Sequence, residues 1–304
     1  MPSPRPTERG DLPALSELYA EGFGRPWSLE EWEWKYRRLP GEARSLVVEG
    51  ADGRLRAHVG ALALPARWRG GEGLLWQLND FVGRGAGLHP PLVRAGRRLL
   101  ADLPRDADLP WIFGFPSHRH LALGERVFGY RPLAPAEWWQ AELPRAGGGA
   151  PLLTGDSPGP GAEAAWEACG GLGVRRTAAF LSWRYTARPE RYYRFYTPVA
   201  DASLGAFAVA AFAGPVATLA ELWLPRGTDG EGFLRGVAAD LRELGLERWR
   251  AWPAPGQEAL LGGLGLRPSG ELVPRGCRGR EGGGEPTAAL AASLYHPPGD
   301  YDLV

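Results

Sequence analysis

Two cysteines, Cys169 and Cys277, stand far apart and belong to no CxxC pair or Cys/His cluster, so the sequence offers neither a disulfide framework nor a zinc site. A reducing compartment fits that usage. Lysine is nearly missing: Lys35 is the only one, and arginine carries the rest of the positive charge. Basic and acidic residues balance at 35 each, which removes the electrostatic footprint of a general nucleic-acid or anionic-membrane binder. No apolar run approaches the ~18 residues of a membrane span, and residues 1–5 open no apolar signal core. The expected setting is the cytoplasm. No Ser-His-Asp order, metal-ligand cluster or nucleotide P-loop anchors a hydrolase, metalloenzyme or NTPase reading.

What the sequence does have is bulk for packing. Hydrophobic residues make up 44 % of it and thirteen are tryptophan, which sets the chain apart from disordered polymers. At 304 residues, two domains of the common size of about 100–150 are expected. The abundance of Gly, Ala, Pro and Arg reads as a mark of a GC-rich source.

Residues 11–23 predict an amphipathic helix with Leu12, Leu15, Leu18, Tyr19 and Phe23 on one stripe and Asp11 placed as its cap. Residues 29–38 predict a second, opened by Ser28 and Glu31 as a capping box. Residues 46–49, 55–64 and 74–82 alternate as strands, with Asp52-Gly53 as the turn between the first two. A glycine-rich turn at 83–87 leads to a helix at 90–103, then a strand at 111–115 and a helix at 117–128 ending at Gly129. Strands in succession followed by a crossover imply a mixed α/β sheet whose later strands pair in parallel around a helix.

Residues 142–173, rich in Gly, Pro and Ala, read as a linker between a domain at 1–141 and another at 174–304. Beyond it the chain repeats itself. Trp34-Lys35-Tyr36 with Pro40 is echoed by Trp183-Arg184-Tyr185 with Pro189. Asp52 and Leu55 share their offset with Asp201 and Leu204; Phe115-Pro116 matches Trp252-Pro253; Gly129-Tyr-Arg-Pro132 matches Gly265-Leu-Arg-Pro268. Four matches in one order predict duplicated supersecondary units. The second half then carries strands at 191–196, 204–212 and 217–224, interrupted at Pro225, a helix at 233–244, a strand at 247–252 and a helix at 255–264. Its tail passes Gly282-Gly283-Gly284 to an apolar strand around 290–295.

With these elements in order, the first half resembles the GNAT N-acetyltransferase superfamily over nearly its whole length. Its opening, Arg5-Pro-Thr-Glu-Arg-Gly-Asp11, looks like that superfamily's first strand and helix. Arg84-Gly85-Ala86-Gly87-Leu88-His89 is similar to the cofactor motif R/Q-x-x-G-x-G/A, with His89 where a small residue is usual and a shorter loop before Arg84. The segment from Ile112 through Ser117 to Gly129-Tyr130 looks like the later strand and helix that complete the cleft. The matched halves and the ending Gly299-Asp300-Tyr301-Asp302 are similar to a bacterial tandem subgroup with a degenerate second copy.

That resemblance implies a site for acetyl-CoA at Phe81, Val82, Arg84, Gly85, Ala86, Gly87, Leu88, His89 and Ser117. The physics agrees with it: unpaired N–H groups at a helix N-terminus attract diphosphate, and glycines let the backbone come close. It further implies direct attack of a neutral small amine on a thioester, helped by a base and by an acid for the leaving thiolate. Glu72 and Asp80 are the carboxylates nearest the expected cleft; Asp80 reads as the base or as a cap of the turn. The family's helix tyrosine is replaced by Glu125, which becomes the candidate acid. His118 and His120 sit on the first turn of the same helix, as cleft or surface residues. No metal is implied. The second half lacks the motif and is expected to be structural, with Trp34, Tyr36, Trp183 and Tyr185 as packing aromatics. Two other readings share the scaffold: a non-catalytic tandem protein, and a transferase using aminoacyl-tRNA, which the neutral charge disfavours.

Overall fold

The structure, a computed structural model, describes residues 3–68, 71–85, 89–103, 111–144, 148–159, 161–199, 205–279 and 297–301. It divides into two compact units. The first comprises Met1–Ala66, Gly70–Ala134 and Pro274–Ala292; the second comprises Arg67–Arg69, Pro135–Val273 and Ser293–Val304.

In the first unit β1 (Arg5–Pro6) precedes α1 (Leu12–Phe23), which buries Leu15, Leu18 and Tyr19 and stops at Gly24, whose φ of 77° only glycine adopts readily. Asp11 stands at the N-cap but does not bond its helix. Its carboxylate accepts instead from the Glu8 N–H and from Arg5. The capping box of α2 (Leu29–Arg37) is formed as the sequence predicts: Ser28 Oγ accepts from the Glu31 N–H, and Glu31 reaches back to the Ser28 N–H. Then come β2 (Ala43–Glu49), β3 (Leu55–Trp68), β4 (Gly71–Gly83), α3 (Pro90–Asp102), β5 (Trp111–Gly114) and α4 (His118–Leu123). A π turn, Gly124–Phe128, continues α4 to Gly129. The strands lie in the order β1-β2-β3-β4-β5, with β4 and β5 parallel. Val48, Val59, Ala61, Trp76 and Leu78 from the sheet meet Leu92, Ala95 and Leu99 of α3 in the core.

The chain then supplies β6 (Arg131–Glu142), β7 (Leu152–Gly155), α5 (Ala162–Ala168), β8 (Gly173–Val174), α6 (Ala178–Leu181) and β9 (Tyr193–Pro198). It continues with β10 (Phe207–Ala213), β11 (Val216–Trp223), α7 (Gly230–Glu243), β12 (Arg248–Ala251), α8 (Glu258–Gly263) and β13 (Arg267–Gly279). The second unit orders its strands β6-β12-β11-β10-β9-β7, with β11 and β12 parallel and a bulge in the β10–β11 pairing. Trp249, Phe233, Leu234, Val237 and Leu241 fill its core.

Three features differ from the sequence reading. The expected linker holds β7, which pairs with β9, and α5, because Ala165 and Trp166 bury completely. Strands β6 and β13 are long and were not legible as such; β6 carries Pro132 and Pro135 and β13 carries Pro268 and Pro274, residues that mask a strand. The units also exchange strands in sequence terms. Residues 276–279 of β13 pair with β5 in the first unit, while residues 139–142 of β6 pair with β12 in the second. The tail strand expected at 290–295 and the Asp201/Leu204 match lie outside the described residues.

Candidate active site

In the first unit, the parallel pairing of β4 with β5 runs Trp76 to Ile112, Gln77 to Phe113 and Leu78 to Gly114, then ends. Two residues on, Asp80 takes φ of 53°, a left-handed conformation that costs a non-glycine residue about 1 kcal/mol but that Asp tolerates better than most. The described pairing with β5 is not continued past Leu78, and the backbone of β4 changes direction at Asp80. Strain of this kind requires support, and three side chains provide it.

Lys35 Nζ lies 2.9 Å from Asp80 Oδ1 and 2.8 Å from Oδ2, both side chains nearly buried. The Tyr36 hydroxyl donates to Asp80 Oδ2 at 2.6 Å and also lies 2.9 Å from Asn79 Oδ1. His58 Nδ1 sits 3.3 Å from the Asp80 carbonyl oxygen and 3.2 Å from the Tyr19 hydroxyl. Burial pushes the His58 pKa down to about 4, against the attraction of Asp80, so the imidazole is neutral at pH 7. Its Nε2 is buried and has no hydrogen-bond partner among the described residues, and the same holds for Asn79 Nδ2. Trp27 stacks on Tyr19 with ring centres 4.1 Å apart and closes this cluster. Gly60 lets the cluster assemble, because a methyl group there would overlap the Tyr36 hydroxyl.

Asp80 therefore stands where β4 leaves β5, and its fellow candidates scatter around it. Phe81 packs edge-on against Phe128, with Gly96 of α3 beneath both rings. Val82 is buried and meets Gly22 of α1. The Arg84 guanidinium pairs with Glu17 and Glu21 of α1 and donates to the Leu55 carbonyl, while its backbone N–H is taken by the Arg56 carbonyl at 3.0 Å. Gly85 adopts φ of 94°. Ala86, Gly87 and Leu88 lie outside the described residues.

His89 is the N-cap of α3, and its ring lies against Gly83. Burial, with the nearby Arg56 and Arg94, lowers its pKa. Pro90 and Pro91 occupy the first two positions of α3 and have no N–H to offer, so of the four free donors a helix start usually presents only those of His89 and Leu92 remain. Ser117 caps α4 by accepting the His120 N–H. Burial lowers the His120 pKa, and His118, Glu125 and Glu72 are exposed. Among the described residues no hydrogen bond or ion pair joins Glu125 to Asp80.

Sequence reasoning missed the groups that hold Asp80. Lys35 had a signal, since it is the single lysine and lies in the repeated W-[K/R]-Y motif. His58 had none.

No protein-family model matches the sequence, and no curated protein matches it. Solved structures do. The chain has the fold of the GNAT N-acetyltransferases. A tandem GNAT protein from the clavulanic acid biosynthesis pathway aligns over 92 % of this chain and 98 % of its own, at 13 % identity and a TM-score of 0.61. A GCN5-related N-acetyltransferase from Sphaerobacter thermophilus aligns over 91 % and 95 %, at 17 % identity and a TM-score of 0.55. One from Kribbella flavida aligns over 91 % and 71 %, at 16 % identity and a TM-score of 0.60. Among the described residues no helix is long and apolar enough to cross a membrane, and no group of three or more His, Cys, Asp or Glu side chains could hold a metal ion.

Proposed function

We propose that the first unit is an N-acyltransferase site that moves an acyl group from acetyl-CoA or a related acyl-CoA to a small amine. The observation that carries this reading is the end of the β4–β5 pairing at Leu78 and Gly114 with a supported carboxylate two residues on, which this reading takes as the start of a gap between the strands. An extended, amide-bearing arm fits such a gap as an added strand fits a sheet edge. Bound acyl-CoA would supply the activated carbonyl. The chain's own contribution is Asp80, whose carboxylate is fixed by Lys35 and Tyr36 and is assigned the proton of the attacking amine through a water, together with the backbone donors of β4 beyond Leu78. Glu125, on the turn after α4, is assigned the proton of the leaving thiolate. Phe81, Val82, Arg84 through His89 and Ser117 are assigned to the cofactor.

A second reading has its own support. Prolines at the first two helix positions and the engaged Arg84 leave few donors for a diphosphate, which favours a tandem GNAT-like binding protein with a decayed site.

Thermal denaturation with millimolar CoA tests the first reading, followed by thiol release with a panel of amines. Stabilisation by CoA and turnover that Asp80→Asn removes without removing the CoA shift are expected. Stabilisation without turnover on any amine selects the second reading, and absence of any shift rejects acyl-CoA altogether.

A further inference from the structure

The repeat gives the second unit a counterpart of the Asp80 position, and there another segment of the chain is seated. Parallel pairing of β11 with β12 runs Val216 to Arg248, Ala217 to Trp249 and Thr218 to Arg250. Aligning Trp252-Pro253 with Phe115-Pro116 sets Ala251 against Gly114, hence Leu219 against Leu78 and Glu221 against Asp80. Tyr185, the match of Tyr36, donates to Glu221 Oε1 at 2.5 Å, so the alignment of sequences is also an alignment of contacts.

Here a later part of the chain occupies the place beside the acidic residue. Residues 297–301 lie along β11, at the end of β12. The Asp300 carboxylate accepts from Arg176 at 2.7 Å, and both side chains are completely buried. Arg176 also bonds Glu221, at 3.1 and 3.0 Å, and the Val174 carbonyl. Arg184, the match of Lys35, donates to the carbonyls of Gly299 at 2.7 Å and Tyr301 at 3.0 Å. Gly299 fits so closely that a methyl group would overlap the Tyr185 hydroxyl and press on Glu221 and the Ala220 carbonyl. The Tyr301 ring lies 6.2 Å from that of Trp252. The buried Arg184 thus binds the tail's carbonyls, and Arg176 faces two buried carboxylates, one of which belongs to the tail. Removing it leaves an excess positive charge in a buried cleft, which is the recognition chemistry of a carboxylate-bearing peptide.

We propose that the β11–β12 cleft of the second unit is a peptide-binding site whose resident ligand is the chain's own segment Pro297–Tyr301, recognised through the Asp300 carboxylate and the carbonyls of Gly299 and Tyr301, and that this cleft takes no acyl-CoA. The proposal is independent of whether the first unit is a transferase.

Three measurements test it. In the full chain, Asp300→Ala is expected to lower the melting temperature by about 10 °C, the usual consequence of breaking a buried ion pair in a protein of this size. A chain ending at residue 296 is expected to be less stable still, and to regain stability on addition of a synthetic peptide of residues 297–304 but not of the same peptide carrying Asp300→Ala. Equilibrium dialysis of the full chain is expected to find no more than one CoA per chain. A melting temperature unmoved by Asp300→Ala, a folded shortened chain indifferent to the peptide, or two CoA bound per chain would each overturn the proposal. Should the shortened chain fail to fold, the Asp300→Ala comparison in the full chain decides.

Discussion

The Tyr36 hydroxyl donates to the Asp80 carboxylate at 2.6 Å, and the same strut, Tyr185 to Glu221 at 2.5 Å, stands in the other half of the chain. In both places a tyrosine near the end of a helical segment pins the acidic residue just beyond the end of a parallel pairing, two positions on at Asp80 and three at Glu221. The difference lies in what the carboxylate faces. Glu221 accepts from Arg176, Tyr185 and Trp223 beside the segment 297–301, whereas Asp80 is held by Lys35 and Tyr36 past the end of the β4–β5 pairing.

Tyr36→Phe removes one hydrogen bond to a charged group and is expected to cost about 2 kcal/mol of stability, measured by urea unfolding. Gly60→Ala, which forces a methyl group into the Tyr36 hydroxyl, is expected to cost at least as much. Wild-type stability in both variants would mean that the strut is idle.

Lys35→Met leaves the Asp80 carboxylate without its cation in a nearly buried place and is expected to cost about 3 kcal/mol. Adding Asp80→Asn should restore most of that, because the unpaired charge is then gone. A double variant no more stable than Lys35→Met would show that packing, not charge, is at stake.

His58 makes stability depend on pH with a defined sign. Burial holds its folded pKa at about 4, below the ordinary 6.5, so on acidification the unfolded chain takes up a proton first. Its contribution is complete above pH 6.5 and is lost as pH falls toward 4, a loss of roughly 3 kcal/mol. Unfolding of the parent and of His58→Gln between pH 4 and 8 isolates this part from that of the carboxylates, and a parallel pair of profiles would refute it.

Much of this was readable in the residues. The capping box at Ser28 and Glu31, the helix from Pro90 and the parallel pairing around it follow from local chemistry, since each signal lies within one element. The repeat of Trp34-Lys35-Tyr36 in Trp183-Arg184-Tyr185 led to the matching struts. What escaped depends on distant partners. His58 reads as one more strand residue until Tyr19 and Asp80 close on it, and Asp300 lies 124 residues from the arginine it neutralises. Arg84 matched the family motif by type, yet helix α1 supplies two carboxylates to it that no local pattern announces.

If diphosphate docks at the start of α3, the missing donors of Pro90 and Pro91 limit its affinity. Replacing both by alanine restores two N–H groups at little cost to the helix and is expected to tighten CoA binding about tenfold in titration calorimetry. Unchanged affinity would place the phosphates elsewhere.

The placement of residues 276–279 beside β5 has a consequence for how the molecule is made. A ribosome delivers the first unit's sheet early, yet the strand that completes it emerges only after most of the second unit has been translated. Severing the gene at residue 141 would give one product lacking its closing strand and another lacking the segment 135–141, so biosynthesis of a finished first unit is tied to completion of the polypeptide.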